Sequence, residues 1–139
     1  TNPASERKYV TQESRPTVLV VEDNTEMLHF IGQEINVHYN VVTAGNGEEA
    51  IARLQEYGIQ LIISDIMMPV MDGLEATRCI RMLNRPDAKK IPIIAMTAQT
   101  ASDSIVTCRA AGMNAHICKP ATKEQLGKTL FNLLEKDQK

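Results

Sequence analysis

This 139-residue chain has no excess of charge of either sign: fifteen Lys and Arg face seventeen Asp and Glu, a net of -2. A protein so balanced offers no basic surface to nucleic acid. Long hydrophobic runs are also lacking, and none approaches the roughly 20 residues of a membrane span. No charged-then-apolar leader opens the chain, so no secretory signal is read. Cysteine is scarce. Cys79, Cys108 and Cys118 are odd in number and lack metal or redox spacing, so they are expected to be small buried apolar residues in a reducing, cytoplasmic compartment. There is no internal repeat. Neither G-x-G-x-x-G nor G-x-x-x-x-G-K-[ST] follows any apolar run, which argues against a nucleotide-binding domain.

What is present is an ordinary soluble composition, 43% hydrophobic and 23% charged, arranged in a regular alternation. Residues 1–16 carry almost no apolar pattern and read as a linker or tail. A folded domain is expected over 17–136, with 137–139 as a C-terminal tail. Continuous apolar runs at 17–21, 40–44, 60–64, 91–97 and 115–118 predict strands buried on both faces. Between them lie helical spacings. Met27, Leu28, Ile31 and Ile35 follow Asn24, and Ala50, Ile51 and Leu54 follow Asn46, with Gly58 as the expected stop. Asp72 caps a helix through Leu74, Thr77 and Ile80, with Leu83 at its margin. Ile105 and Cys108 lie on a helix ending at Gly112. Thr122 and Gln125 form a capping box before Leu126, Leu130, Leu133 and Leu134. "RPDAKK" at 85–90 reads as a solvated loop, and His29 and His38 as surface residues without a role. Five strands alternating with five helices predict an α/β fold with helices on both faces of a parallel sheet.

In such sheets ligands sit beyond the carboxyl ends of the strands. Those ends carry Glu22 and Asp23, then Asp65, then Thr97, then Lys119. Singly, each is an ordinary cap, turn or surface residue. Together they converge on one pocket. Three carboxylates so close repel one another, and burial adds to the cost, so positive charge must be supplied. Lys119 is one such charge, and Mg²⁺ is the natural other, because it takes one or two carboxylates and keeps several waters. Asp23 and Asp65 are expected as direct ligands, Glu22 through water, and a backbone carbonyl near Met67 as the remaining protein ligand. A hard cation, a lysine and a hydroxyl around one aspartate suit phosphoryl transfer. Asp65, the central carboxylate, is the expected nucleophile. Lys119 and Thr97 would contact the phosphoryl oxygens.

The pieces "VLVVEDN", "DIMMPVMDG", "IIAMTA" and "CKP", in that order, resemble the receiver domain of two-component response regulators and hybrid histidine kinases. The resemblance covers residues 17–136. It implies a flavodoxin-like fold (CheY-like), with the five parallel strands ordered 2-1-3-4-5. It implies an acceptor domain rather than an enzyme, in which Asp65 takes a phosphoryl group from a histidine kinase or a histidine phosphotransfer domain. Glu22 and Asp23 would hold Mg²⁺, Thr97 would sense the phosphoryl group, and Lys119, before a cis Pro120, would bind it. The later half of the domain would be the output surface.

Three positions bear on how such a switch would run. His116 stands where an aromatic residue is frequent in the family, and its burial is expected to change on activation. Met67 and Gln99 flank the path of hydrolytic water. A competing reading is a metal-dependent phosphatase or phosphotransferase with an aspartyl intermediate. Such enzymes usually carry a second acid two residues after the nucleophile, where this chain has Met67. The polar lead-in suggests a receiver joined to an upstream domain, as in a hybrid kinase, and "EKDQK" reads as a chain end without a DNA-binding output domain.

Overall fold

A computed structural model describes residues 12–98 and 102–135, with backbone alone considered at 102–104. The strands are β1 (Thr17–Val21), β2 (Asn40–Ala44), β3 (Leu61–Asp65), β4 (Ile93–Thr97) and β5 (Ala115–Cys118). The helices are α1 (Thr25–Ile35), α2 (Gly47–Glu56), α3 (Gly73–Arg81), α4 (Ser102–Ala111) and α5 (Lys123–Leu134). All pairings are parallel and the sheet order is β2-β1-β3-β4-β5. Side chains alternate across the sheet. Val18, Val20, Leu61, Ile63, Ile94 and Met96 pack with Ile31 and Ile35 of α1 and Leu126 and Leu130 of α5. Leu19, Val21, Ile62, Ile93 and Ala95 face the other way, onto Leu54 of α2, Ile80 of α3 and Cys108 of α4. Burial on both faces is why these strands read as unbroken apolar runs.

Asn24, Asn46, Asp72 and Thr122 each accept a backbone N–H in the first turn of α1, α2, α3 and α5, and Thr122 completes its box with Gln125. Several boundaries differ from the sequence expectation. β3 takes in Asp65 itself and leaves out Gln60, while β4 begins at Ile93 rather than 91. The latter follows from Pro92, which lacks an N–H for the ladder and contributes only its carbonyl, to Ile62 N at 2.9 Å. α2 ends on an extended Tyr57, so Gly58 is not its left-handed stop. Gly112, at φ 114, is that stop for α4. α3 ends at Arg81, and Leu83 lies past it.

The 85–90 segment is anchored rather than merely solvated. Arg85 pairs with Asp87 at 2.6 Å and donates to Leu54 O at 2.8 Å, and Ala88 is buried. Only Cys108 is fully buried; Cys79 and Cys118 are half-buried, and all three are free thiols. In the lead-in, Gln12 N donates to Asn40 Oδ1 at 2.7 Å, and Asn40 Nδ2 donates to the carbonyls of Gln12 and Arg15, tying residues 12–16 to the start of β2.

Candidate functional site

The site forms where β1, β3, β4 and β5 end side by side. Glu22 follows β1 and is held by a backbone bond to Ala44 O at 3.0 Å. Asp65 is the last residue of β3, opposite Met96, so its side chain emerges at the rim of the sheet. Thr97 ends β4, and its carbonyl accepts from Lys119 N, which brings the residue after β5 across to it. The Lys119–Pro120 bond is cis.

Carboxylate oxygens of Glu22, Asp23 and Asp65 lie within 4.8 Å of one another. Glu22 is 1% exposed and Asp65 6%, whereas Asp23 is open to solvent. Lys119 Nζ reaches both buried acids, at 3.1 Å from Glu22 Oε1 and 3.0 Å from Asp65 Oδ2. Burial pushes the Glu22 carboxyl up from its ordinary value; the Asn24 N–H and Lys119 pull it back, and the charge of Asp65 adds to the rise. Burial also weakens the Lys119 charge, but its bonds to Asp65 and Glu22 outweigh that, so the lysine holds its proton more firmly than a free one.

Three carboxylates against one ammonium leave the pocket short of positive charge. Its donors are all oxygens, the set a hard divalent cation prefers. Of the buried side-chain oxygens here, Thr97 Oγ1 has no hydrogen-bond partner among the described residues, and Glu22 Oε1 meets only the Lys119 ammonium, which it shares with Asp65. Such groups are costly unless something completes them. A phosphoryl oxygen beside Thr97 would complete its hydroxyl, and a cation among the three acids would offset the charge that Lys119 alone leaves unbalanced, so the residues present fit the groups inferred from the sequence. All five predicted polar residues thus come together. Met67 lies on the loop after β3 with its side chain 80% exposed. Gln99 lies outside the described residues. His116 is exposed on β5, lining a groove against α5 with Lys128 and Asn132.

That loop holds features the sequence reading passed over. Met71 N donates to Pro69 O at 2.7 Å, a γ-turn that puts Val70 at φ 69, a conformation β-branched residues rarely adopt. Gly73 N donates to Ile66 O at 2.8 Å, and Ser64 Oγ to Asp65 O at 2.8 Å. A Cβ on Gly73 would overlap Asp65 O, so the residue that restarts the helix also fixes the backbone of Asp65.

This fold and pocket define a class. The response regulator receiver domain model matches residues 18–131, and the chain belongs to that family. Among curated proteins it is 33% identical to Histidine kinase 5 of Arabidopsis thaliana, over 90% of this chain and 16% of that protein. The chain thus spans about a sixth of that relative's length. Among solved structures it is similar to the chemotaxis protein CheY4 of Vibrio cholerae, with TM-score 0.82 and 33% identity over 87% of this chain and all of that one. The receiver domain of the sensor histidine kinase PA1611 of Pseudomonas aeruginosa has TM-score 0.70 and 30% identity, over 86% of this chain and 98% of that one, and holds a magnesium ion in its active-site cleft. The receiver domain of Ssk1 of Saccharomyces cerevisiae, solved in complex with the histidine phosphotransfer protein Ypd1, matches with TM-score 0.78 and 27% identity, over 86% of this chain and 88% of that one.

Proposed function

We propose that Asp65 is the phosphoacceptor of this receiver domain, that Glu22, Asp23 and Asp65 with the Met67 carbonyl hold Mg²⁺, and that Thr97 and Lys119 bind the phosphoryl group. The carrying observation is the buried Asp65 carboxylate, 3.0 Å from Lys119 and clustered with two further acids. An Asp65 oxygen attacks the phosphorus of a phosphohistidine. The P–N bond breaks, its electron pair stays on the imidazole nitrogen, and that nitrogen takes a proton from solvent. Lys119 neutralises charge on the moving oxygens, and Thr97 Oγ1 donates to one of them. Bound Mg²⁺ would supply further charge neutralisation at the same oxygens. The donor is a histidine kinase or a histidine phosphotransfer domain, and the chain is a piece of a longer, hybrid-kinase-like protein working in the cytoplasm. Among the described residues no helix is long and apolar enough to cross a membrane.

The test is incubation with Mg²⁺ and acetyl phosphate, read by intact mass. One phosphoryl group per chain is expected, lost on hydroxylamine treatment, as an acyl phosphate requires, and absent when Mg²⁺ is chelated. A chain that gains no phosphoryl group, or one resistant to hydroxylamine, would refute the proposal.

Met67 bears on how long the product lasts. Its thioether stands exposed beside the site and cannot orient a hydrolytic water. Met67→Asn places an amide there that can, and the aspartyl phosphate is expected to decay roughly threefold faster or more. Decay followed after removal of the phosphodonor checks this, and an equal or slower rate in the variant would contradict it.

A further inference from the structure

α2 sends no side chain to the acidic pocket, yet its first residue touches the loop that builds it. Gly47 N donates to Met71 O at 2.9 Å, across from the γ-turn at Val70. Gly47 does not have a left-handed φ, so conformational freedom does not explain the glycine. Space does. A Cβ there would lie 2.7 Å from Met71 O, 2.9 Å from Met71 Cγ and 2.9 Å from Ala76 Cβ, closer than real Cβ atoms come. Met71 O is backbone and yields only if the loop moves. Residues 66–72 are therefore a strap pinned at two separate points: by Gly73 on Ile66 O, and by Gly47 on Met71 O. Between the pins, Met68 is buried in the core while Met67 and Val70 face solvent.

We infer that Gly47 is a positioning residue for the acceptor loop: its bare Cα lets α2 seat the strap, and the seated strap sets the Met67 carbonyl in register with the acid cluster. The inference rests on the reading of Asp65, Glu22 and Asp23 as a Mg²⁺-dependent acceptor site. It predicts that α2, remote from the chemistry, controls cation affinity through one backbone contact. Groups that orient a ligand from outside its coordination sphere typically change metal affinity about 10- to 100-fold when altered.

Mg²⁺ affinity measured by titration calorimetry, with thermal unfolding alongside, tests this. Gly47→Ala is expected to bind Mg²⁺ about tenfold more weakly. Ala52→Gly, which loosens the same helix at an exposed position, should bind as the wild type does. The double variant Gly47→Ala/Ala76→Gly removes the Cβ–Cβ contact but not the one to Met71 O. It should regain thermal stability and keep the weak Mg²⁺ binding, and it is read in place of the single variant if that one fails to fold. Amide exchange on the unsubstituted protein gives an independent measure: Mg²⁺ should slow exchange at Gly47 N–H by a larger factor than at Leu130 N–H in α5. Wild-type affinity in either Gly47 variant, or equal slowing at the two amides, overturns the inference. A wild type that itself binds no Mg²⁺ removes the acceptor reading and this one together. A wild type that binds Mg²⁺ beside an unaltered Gly47→Ala variant removes this one alone.

Discussion

Asp65→Asn is expected to abolish phosphoryl incorporation and, in Mg²⁺-free buffer, to raise the stability of the fold. The first effect follows from the chemistry, since an amide oxygen is no nucleophile toward a phosphohistidine. The second follows from the charges. Asp65 has one favourable partner, Lys119 at 3.0 Å, and two unfavourable ones, Glu22 and Asp23, with carboxylate oxygens within 4.8 Å. Neutralising it removes two repulsions against one attraction. The asparagine carbonyl can still accept from Lys119, and a gain of about 1 kcal/mol is expected. Thermal and urea unfolding measure it, and a destabilised variant would show that the pocket is not under charge strain.

The same pocket sets a pH dependence. Glu22 has its acidity weakened by burial first and by Asp65 in addition, so the folded state binds its proton more tightly than the unfolded chain does. Its contribution to stability is then fully present below the ordinary value of 4.5 and is lost as pH rises through the higher folded value. Removing the Asp65 charge makes that decline shallower. Mg²⁺ should have the same sense, because a cation among the acids favours the charged form of Glu22 against burial and the charge of Asp65.

The sequence announces this site in unequal measure. Asp65, Thr97 and Lys119 are legible because each closes an apolar run, and a parallel sheet gathers the ends of its strands at one edge. Burial of both faces made the strands readable, and first-turn Asn, Asp and Thr residues made four helix starts readable. Where the reading slipped, a longer-range contact decided. Gly58 looked like a helix stop, yet α2 ends on an extended Tyr57. The 85–90 segment looked solvated because its residues are polar, and only the fold carries Arg85 to Leu54 O. Gly47 and Met71 are far apart in sequence, and nothing local hints that one needs no side chain because the other's carbonyl stands there. Periodicity and capping report on neighbours along the chain, whereas the pinning of the strap is a contact between the start of a helix and a distant loop.

Lys119→Met is expected to separate cation binding from phosphoryl transfer. The lysine bridges the two buried acids of the pocket, and its own side chain is 24% exposed. Methionine keeps most of its apolar stem and removes its charge. Without it, no ammonium stabilises the oxygens of the moving group, and labelling by acetyl phosphate should slow at least about 100-fold. Mg²⁺, by contrast, should bind more tightly, because the one positive charge that competes for Glu22 and Asp65 is gone. In the absence of Mg²⁺ the variant should be less stable by about 2 kcal/mol at neutral pH, since the acids face each other uncompensated. That deficit should narrow in acid as Glu22 takes up its proton, and should close as Mg²⁺ is added. The alkaline limb changes too. In the wild type, bonds to Asp65 and Glu22 raise the lysine above its ordinary 10.5, so its stabilising share is complete below that value and is lost as pH climbs past it. The variant should lack this alkaline decline. Calorimetric Mg²⁺ titration, the labelling rate and the pH profile of unfolding read the three effects separately. Tighter Mg²⁺ binding with transfer lost identifies Lys119 as a charge acting on the phosphoryl group. Weaker Mg²⁺ binding would show instead that the lysine's main part is to hold Glu22 and Asp65 in place for the cation.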